Sequence, residues 1–219
     1  MGYSFSGHSC VSWFAFRLCR RSQVGHDRFW RRTEEAPGDA HAADLGLPIR
    51  RAEGYRRDMD LERVEIPSQI AAVAALARET WTQHYVPLIG AAQVEYMLAK
   101  FQSAEAIARQ ITTEGYEYYW APGAGYLALV PDPVRKSVML SKIYVLADRR
   151  GTGVGRAMVA FAEKRAAELG GAELWLTVNK HNAGSIAFYE RMGFRKTEAV
   201  VTDIGGGFVM DDWRMAKTV

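Results

Sequence analysis

Cysteine is scarce in this chain: two among 219 residues, Cys10 and Cys19, both within the first twenty. That scarcity excludes a disulfide framework and a cysteine-based metal site, and it leaves no thiol nucleophile after Cys19. The two histidines beyond residue 58, His84 and His181, have no metal-ligand spacing around them, so no metal is expected. Long apolar runs are missing too. The patch Val11 to Phe16 is far too short to cross a bilayer, and its positive charges follow rather than precede it, unlike a secretory signal. No Gly-Lys-Ser or Gly-Lys-Thr occurs, which excludes a Walker A loop. A GxGxxG fingerprint fails because positions 156 and 158 hold Arg156 and Met158.

Lysine is absent from the first 58 residues, which hold ten arginines, seven acids, both cysteines and three of the five histidines. That excess accounts for the whole formal charge of +3, so residues 59–219 are neutral with 18 charges of each sign. Nucleic-acid binding is thereby excluded as an expectation for the larger part. Residues 1–58 read as a basic, disordered N-terminal extension. Their acid-free start has transit-peptide composition, and Met1 to Ser6 formally fits a myristoylation signal. Residues 59–219 suffice for one self-supporting core. The expected setting is cytoplasmic, with no membrane and no nucleic-acid partner, as a monomer or homodimer.

What is present lies between Ser137 and Phe194. Ser137 to Val145 alternates and is β-rich, so it reads as a strand. Val154, Ala157, Met158, Phe161, Ala162, Ala166 and Leu169 form the stripe of an amphipathic helix. Gly151, Gly153 and Gly155 sit where strand becomes helix. Lacking Cβ atoms, they let the backbone approach a ligand, and the unpaired amides of a first helical turn attract anions. Arg149, Arg150 and Arg156 add fork-shaped cations suited to phosphate oxygens. A pyrophosphate fits this turn. Downstream, Ala172 to Val178 reads as a second strand and Asn182 to Met192 as a short helix stopped by Gly193. Its inner stripe is Ser185, Ile186, Phe188 and Tyr189.

In Arg150-Gly151-Thr152-Gly153-Val154-Gly155 and in the run Asn182 to Phe194, NAGSIAFYERMGF, the chain resembles the GNAT superfamily of acetyl-coenzyme A dependent N-acetyltransferases. Both motifs match without a gap and in order. The resemblance implies an α/β fold: a mixed, mostly antiparallel sheet flanked by helices, whose central parallel strand pair splays open. It implies acetyl-coenzyme A as co-substrate, held by Ile143, Tyr144 and Val145 through their backbone, by Arg150, Gly151, Thr152, Gly153, Val154, Gly155 and Arg156 at the turn, and by Asn182, Ser185 and Tyr189. It also implies a bulge in the first strand, which no periodicity displays. Tyr189 is the expected proton donor to the departing thiolate, because protonation assists the loss of a thiol of pKa about 8.5.

Two points stay open. The family often places a glutamate on the cofactor strand as base, whereas this strand offers Ser141, Lys142 and Tyr144. Glu117 is the candidate in its place, through a water, against an equal reading as a surface strand residue. Upstream, helices are read at Ser68 to Thr80, Ala91 to Phe101 and Ala104 to Thr112, and strands at Tyr116 to Trp120 and Tyr126 to Val130. Trp81, His84, Tyr85, Tyr116, Tyr118 and Tyr126 are candidates to line an acceptor groove, where aromatic rings hold a cationic amine, although core packing is the plainer reading of each. A looser similarity to spermidine and spermine acetyltransferases of the PaiA kind covers roughly Asp60 to Lys217. It points to a small polyamine-like or amino-acid-like primary amine. Protein N-terminal or lysine acetylation and a non-catalytic coenzyme A binding module are the alternatives.

Overall fold

The computed structural model describes residues 60–219, and the extension read for residues 1–58 lies outside them. The chain order is β1 (Glu62–Arg63), α1 (Pro67–Ile89), α2 (Ala91–Met97), α3 (Ala104–Thr113), β2 (Glu117–Ala121), β3 (Gly125–Asp132), β4 (Ser137–Val145), α4 (Val154–Glu168), β5 (Glu173–Asn179), α5 (Ala183–Arg191), β6 (Arg195–Gly205) and β7 (Phe208–Thr218). Pro67 starts α1, where its missing N–H costs nothing, and Gln69 Oε1 accepts from the Ile66 amide at 3.2 Å. Helix α1 runs nine residues beyond the Thr80 expected from periodicity, through Pro87 to Gly90 at φ +82°. A π-turn, Leu98–Gln102, extends α2, and Ser103 then caps α3 by accepting from the Ala106 amide.

Seven strands form one sheet in the order β1-β2-β3-β4-β5-β7-β6, and every neighbouring pair is antiparallel except β4 and β5. The mixed, mostly antiparallel sheet with one central parallel pair is therefore the one expected. The C-terminal hairpin β6–β7 completes it. No sequence signal marked β6, whose eleven residues are mostly exposed and lack a clean alternation.

Each face of the sheet carries its own core. On one face α4 and α5 bury Met158, Val159, Ala162, Phe188 and Tyr189 against Leu127, Leu140, Ile143, Leu174 and Leu176. On the other, α1 and α2 bury Val73, Trp81, Tyr85, Val94 and Met97 against Tyr126, Met139 and Tyr144. Burial of each large apolar side chain stabilises by about 1.5–3 kcal/mol before entropy is counted. Because both faces are covered, all nine residues of β4 are buried. Leu140 and Ile143, an odd number of residues apart, nevertheless face the same core, and the reason is a register shift: Lys142 pairs with Ala128 but Leu140 with Leu129, leaving Ser141 as an extra residue. This bulge reverses the phase of the strand.

Candidate active site

The sheet opens where β4 and β5 part. They pair only at Ser137–Glu173, Val138–Leu174 and Met139–Trp175, although both strands continue, to Val145 and Asn179. Beyond Met139 the β4–β5 ladder ends, so the edges of the two strands face one another without pairing. The bulge at Ser141 falls just past the last pair. The expected splay and the expected bulge are thus both present, and Ile143, Tyr144 and Val145 line the opening.

At the wide end stands the basic turn. Gly151 has φ +79° and Gly153, the N-cap of α4, has φ +99°, conformations open to glycine but strained for other residues. No side chain caps α4, so its first amides face outward from the turn. Val154 and Gly155 are buried in that first turn, and Thr152 Oγ1 donates to the Arg149 carbonyl at 2.7 Å, fixing the loop. Arg150 folds inward: its Nε donates to the Val145 carbonyl at 3.0 Å, tying the turn to the end of β4, while its Nη2 is buried without a partner. Arg156 lies exposed on the first turn of α4. On α5, the Asn182 side chain caps the helix by accepting from the Ser185 amide at 3.3 Å, and the Ser185 Oγ is fully buried with no partner. Free helix amides, an inward cation and an orphaned hydroxyl at one opening form a donor set that suits a phosphorylated, amide-bearing ligand such as coenzyme A.

Tyr189 is fully buried, with ring centroids 5.5 Å from Phe188 and 5.7 Å from Phe194. From the other face α1 brings Tyr85. Burial raises the Tyr85 phenol well above its ordinary pKa, and its further electrostatic partners are Tyr189, Tyr126, Arg150 and Asp212. These five residues form one polar cluster at the opening, buried but for the half-buried Arg150. His84 joins its edge: desolvation first, then the charge of Arg150, lower its pKa to about 4, so the ring is neutral at pH 7. Around the cluster runs an aromatic wall, with Trp81 at 4.8 Å from Tyr85 and 5.7 Å from Tyr144, and Tyr126 at 5.1 Å from Tyr144.

The remaining expected residues lie elsewhere. Glu117 sits at the start of β2, opposite Leu129 and hence beyond the bulge from the basic turn. Arg165 of α4 grips it through two nitrogens at 2.9 Å, and the Tyr119 hydroxyl donates to it at 2.8 Å. The Arg165 hydrogen bonds hold its carboxyl below the usual range. It clamps α4 to the sheet and is not brought to the opening as a base. Tyr116 and Tyr118 are likewise diverted: the buried ammonium of Lys142 lies 4.7 and 5.1 Å from their ring centroids, and Gln110 Oε1 accepts from both Lys142 (3.1 Å) and the Tyr118 hydroxyl. Asp212 is the member of the cluster that sequence reasoning missed. The acids in FVMDDWRMAK break the apolar alternation that would have marked an inward face.

Fold and site together define an α/β protein with an anion-accepting cleft at the opened centre of its sheet. Residues 90–194 of the chain match the acetyltransferase (GNAT) family. It is 37% identical over 71 residues to a streptothricin acetyltransferase of Streptomyces lavendulae, covering 32% of this chain and 38% of that protein. With N-acetyltransferase family 8 member 3 of Rattus norvegicus it shares 32% identity over 100 residues, 42% of this chain and 44% of the other. The chain spans less than half the length of these curated relatives. The PaiA N-acetyltransferase of Thermoplasma acidophilum, solved with coenzyme A, superposes with a TM-score of 0.56 at 20% identity over 74% of this chain and all of that one. The spermidine/spermine N-acetyltransferase SpeG of Vibrio cholerae gives 0.53 at 16% identity over 73% and 92%. These likenesses show the shared fold. Among the described residues no helix is long and apolar enough to cross a membrane, and no group of three or more His, Cys, Asp or Glu stands ready for a metal ion.

Proposed function

We propose that this protein transfers the acetyl group of acetyl-coenzyme A directly to a small primary amine, polyamine-like or amino-acid-like, within a ternary complex. The observation that carries the reading is the parting of β4 from β5 beside the glycine-arginine turn, which offers backbone donors and phosphate-binding groups along one cleft. In this reading the amides of 151–155 with Arg150 and Arg156 hold the pyrophosphate, Asn182 and Ser185 meet the pantetheine arm, and the backbone of Ile143 to Val145 polarises the thioester carbonyl. The thioester supplies an activated acetyl group. Tyr189 then donates a proton to the departing thiolate. Support for a cationic acceptor comes from the aromatic wall and from the buried Asp212 on the α1 side, since the α4–α5 side is filled by apolar packing. SpeG, a spermidine/spermine acetyltransferase by name, shares this fold. The experiment is thiol release by the purified protein across a panel of diamines, polyamines, amino acids and peptides: amine-dependent release supports the reading, and release with none of them overturns it.

A further inference from the structure

Asp212 is 2% exposed, on β7, opposite Asn179 at the open end of β5 and Val200 of β6. A carboxylate is rarely buried so deeply without a full set of partners. The Thr177 hydroxyl donates to it, yet its Oδ1 is sealed from solvent with no partner. Thr177 and Asp212 share the sheet face that α1 covers, because Thr177 pairs with Arg214, two residues along. From α1 the Tyr85 phenol feels both Asp212 and Tyr189. One buried cluster therefore holds a carboxylate with an open oxygen and the phenol assigned as acid, ringed by aromatic faces. The inference rests on the acetyl-transfer reading and supplies the base that reading lacks.

We propose that Asp212 is the general base that takes the proton from the acceptor's ammonium group. The ammonium passes one proton to the carboxylate, giving a neutral amine and a carboxylic acid. The amine lone pair forms the new C–N bond at the thioester carbonyl and the C–S bond breaks. The thiolate takes the Tyr189 proton, the Tyr189 phenolate takes the second proton from the amide nitrogen, and Asp212 returns its proton to solvent. One ammonium and one acetyl thioester become one amide, one thiol and one released proton.

Electrostatics agree with this geometry. Burial, opposed by the Thr177 hydrogen bond, assisted by Asp211 and opposed by Lys180, raises the carboxyl to about 7. A base near the working pH is better matched to an ammonium of pKa about 10 than an ordinary carboxylate is. The groups that face Asp212 are Thr177 and Lys180 from the end of β5, Asp211 on its own strand and Tyr85 from α1. Lys180 is already engaged with Asp211, and Arg214, farther along β7, with Glu173 and Glu198. His84 is the rival base. At about 4 it is much the weaker, and the neighbouring Arg150 charge repels an ammonium.

The test is the pH profile of kcat/KM for the full chain and for Asp212→Asn, with the amine on which the unaltered protein turns over. The expected wild-type profile loses activity below an acidic limb near 7. Asp212→Asn is expected to lose about 100-fold in kcat and to lack that limb, at unchanged KM for acetyl-coenzyme A. Wild-type kcat with the limb intact, or a loss confined to the acceptor KM, would overturn the assignment while leaving acetyl transfer standing. Absence of turnover by the unaltered protein would instead overturn acetyl transfer, and the base assignment with it. Should Asp212→Asn fail to fold, Thr177→Val decides: it removes the hydrogen bond that lowers the carboxyl, so the limb moves to higher pH, and a limb that stays in place refutes Asp212 as its source.

Discussion

Tyr189 and Glu117 show how burial separates a chemical residue from a structural one. Tyr189 is fully buried at the opening, within electrostatic reach of Tyr85. Tyr189→Phe keeps the ring packing and is expected to lower kcat on the order of 100-fold at unchanged KM for acetyl-coenzyme A, read in steady-state assays. A loss of less than about threefold would leave Tyr189 as a packing residue. Glu117 is buried less deeply, and Arg165 and Tyr119 satisfy it structurally. Glu117→Gln is expected to destabilise the fold by about 2 kcal/mol, less than a fully buried pair would show because the Arg165 side chain is 25% exposed. The sign with pH follows from the lowered pKa. Glu117 contributes above the 4.5 of the free residue, and the contribution is lost as pH falls through the depressed value. Melts of the two proteins should therefore differ at pH 7 and converge in strong acid, with turnover at pH 7 preserved.

Among the elements, β4, α4 and α5 were legible because each carries a pattern that only one local structure satisfies. Ser137 to Val145 is β-branched and aromatic, the stripe from Val154 repeats at helical spacing, and Asn182 with Gly193 brackets α5. The end of α1 was not legible, since Pro87 and the polar run before it read as a boundary, whereas packing of Trp81 and Tyr85 carries the helix onward. The bulge at Ser141 hides for another reason: with both faces of β4 covered, a reversal of phase leaves no polar trace. The hairpin β6–β7 pairs with β5 and buries Ile204, Met210 and Met215 in the cores, but its acids interrupt the apolar alternation, and Asp212 went unread with it. At the turn, Gly153 owes its identity to φ +99° rather than to crowding, since an added Cβ would meet nothing within 4 Å. Gly153→Val is expected to strain the N-terminus of α4 by about 1–3 kcal/mol and to weaken coenzyme A binding at least tenfold by calorimetry. Unchanged affinity would remove the turn from the binding site.

Both cores close within residues 60–219, one on each face of a single sheet. Removal of residues 1–58 is therefore expected to leave the melting temperature within about 2 °C of the full chain and acetyl transfer intact. Loss of docking worth about 1 kcal/mol would instead lower it by roughly 2–4 °C in a domain of this size. The same two-sided architecture brings the turn and Tyr189 from the α4–α5 face and Tyr85 and the aromatic wall from the α1 face, and in the proposed reaction acyl donor and amine meet across the parted strands. Both cysteines precede residue 20, which argues against an acetyl-cysteine intermediate in the proposed reaction. The most direct test is a rapid-mixing experiment with stoichiometric acetyl-coenzyme A, in which free thiol, acetylated amine and intact protein mass are followed with and without the amine. The account predicts no thiol and no acetylated protein without amine, and thiol equal to acetylated amine when it is present. A burst of thiol without amine that leaves the acetyl group on the protein, or no thiol with any amine, would contradict it.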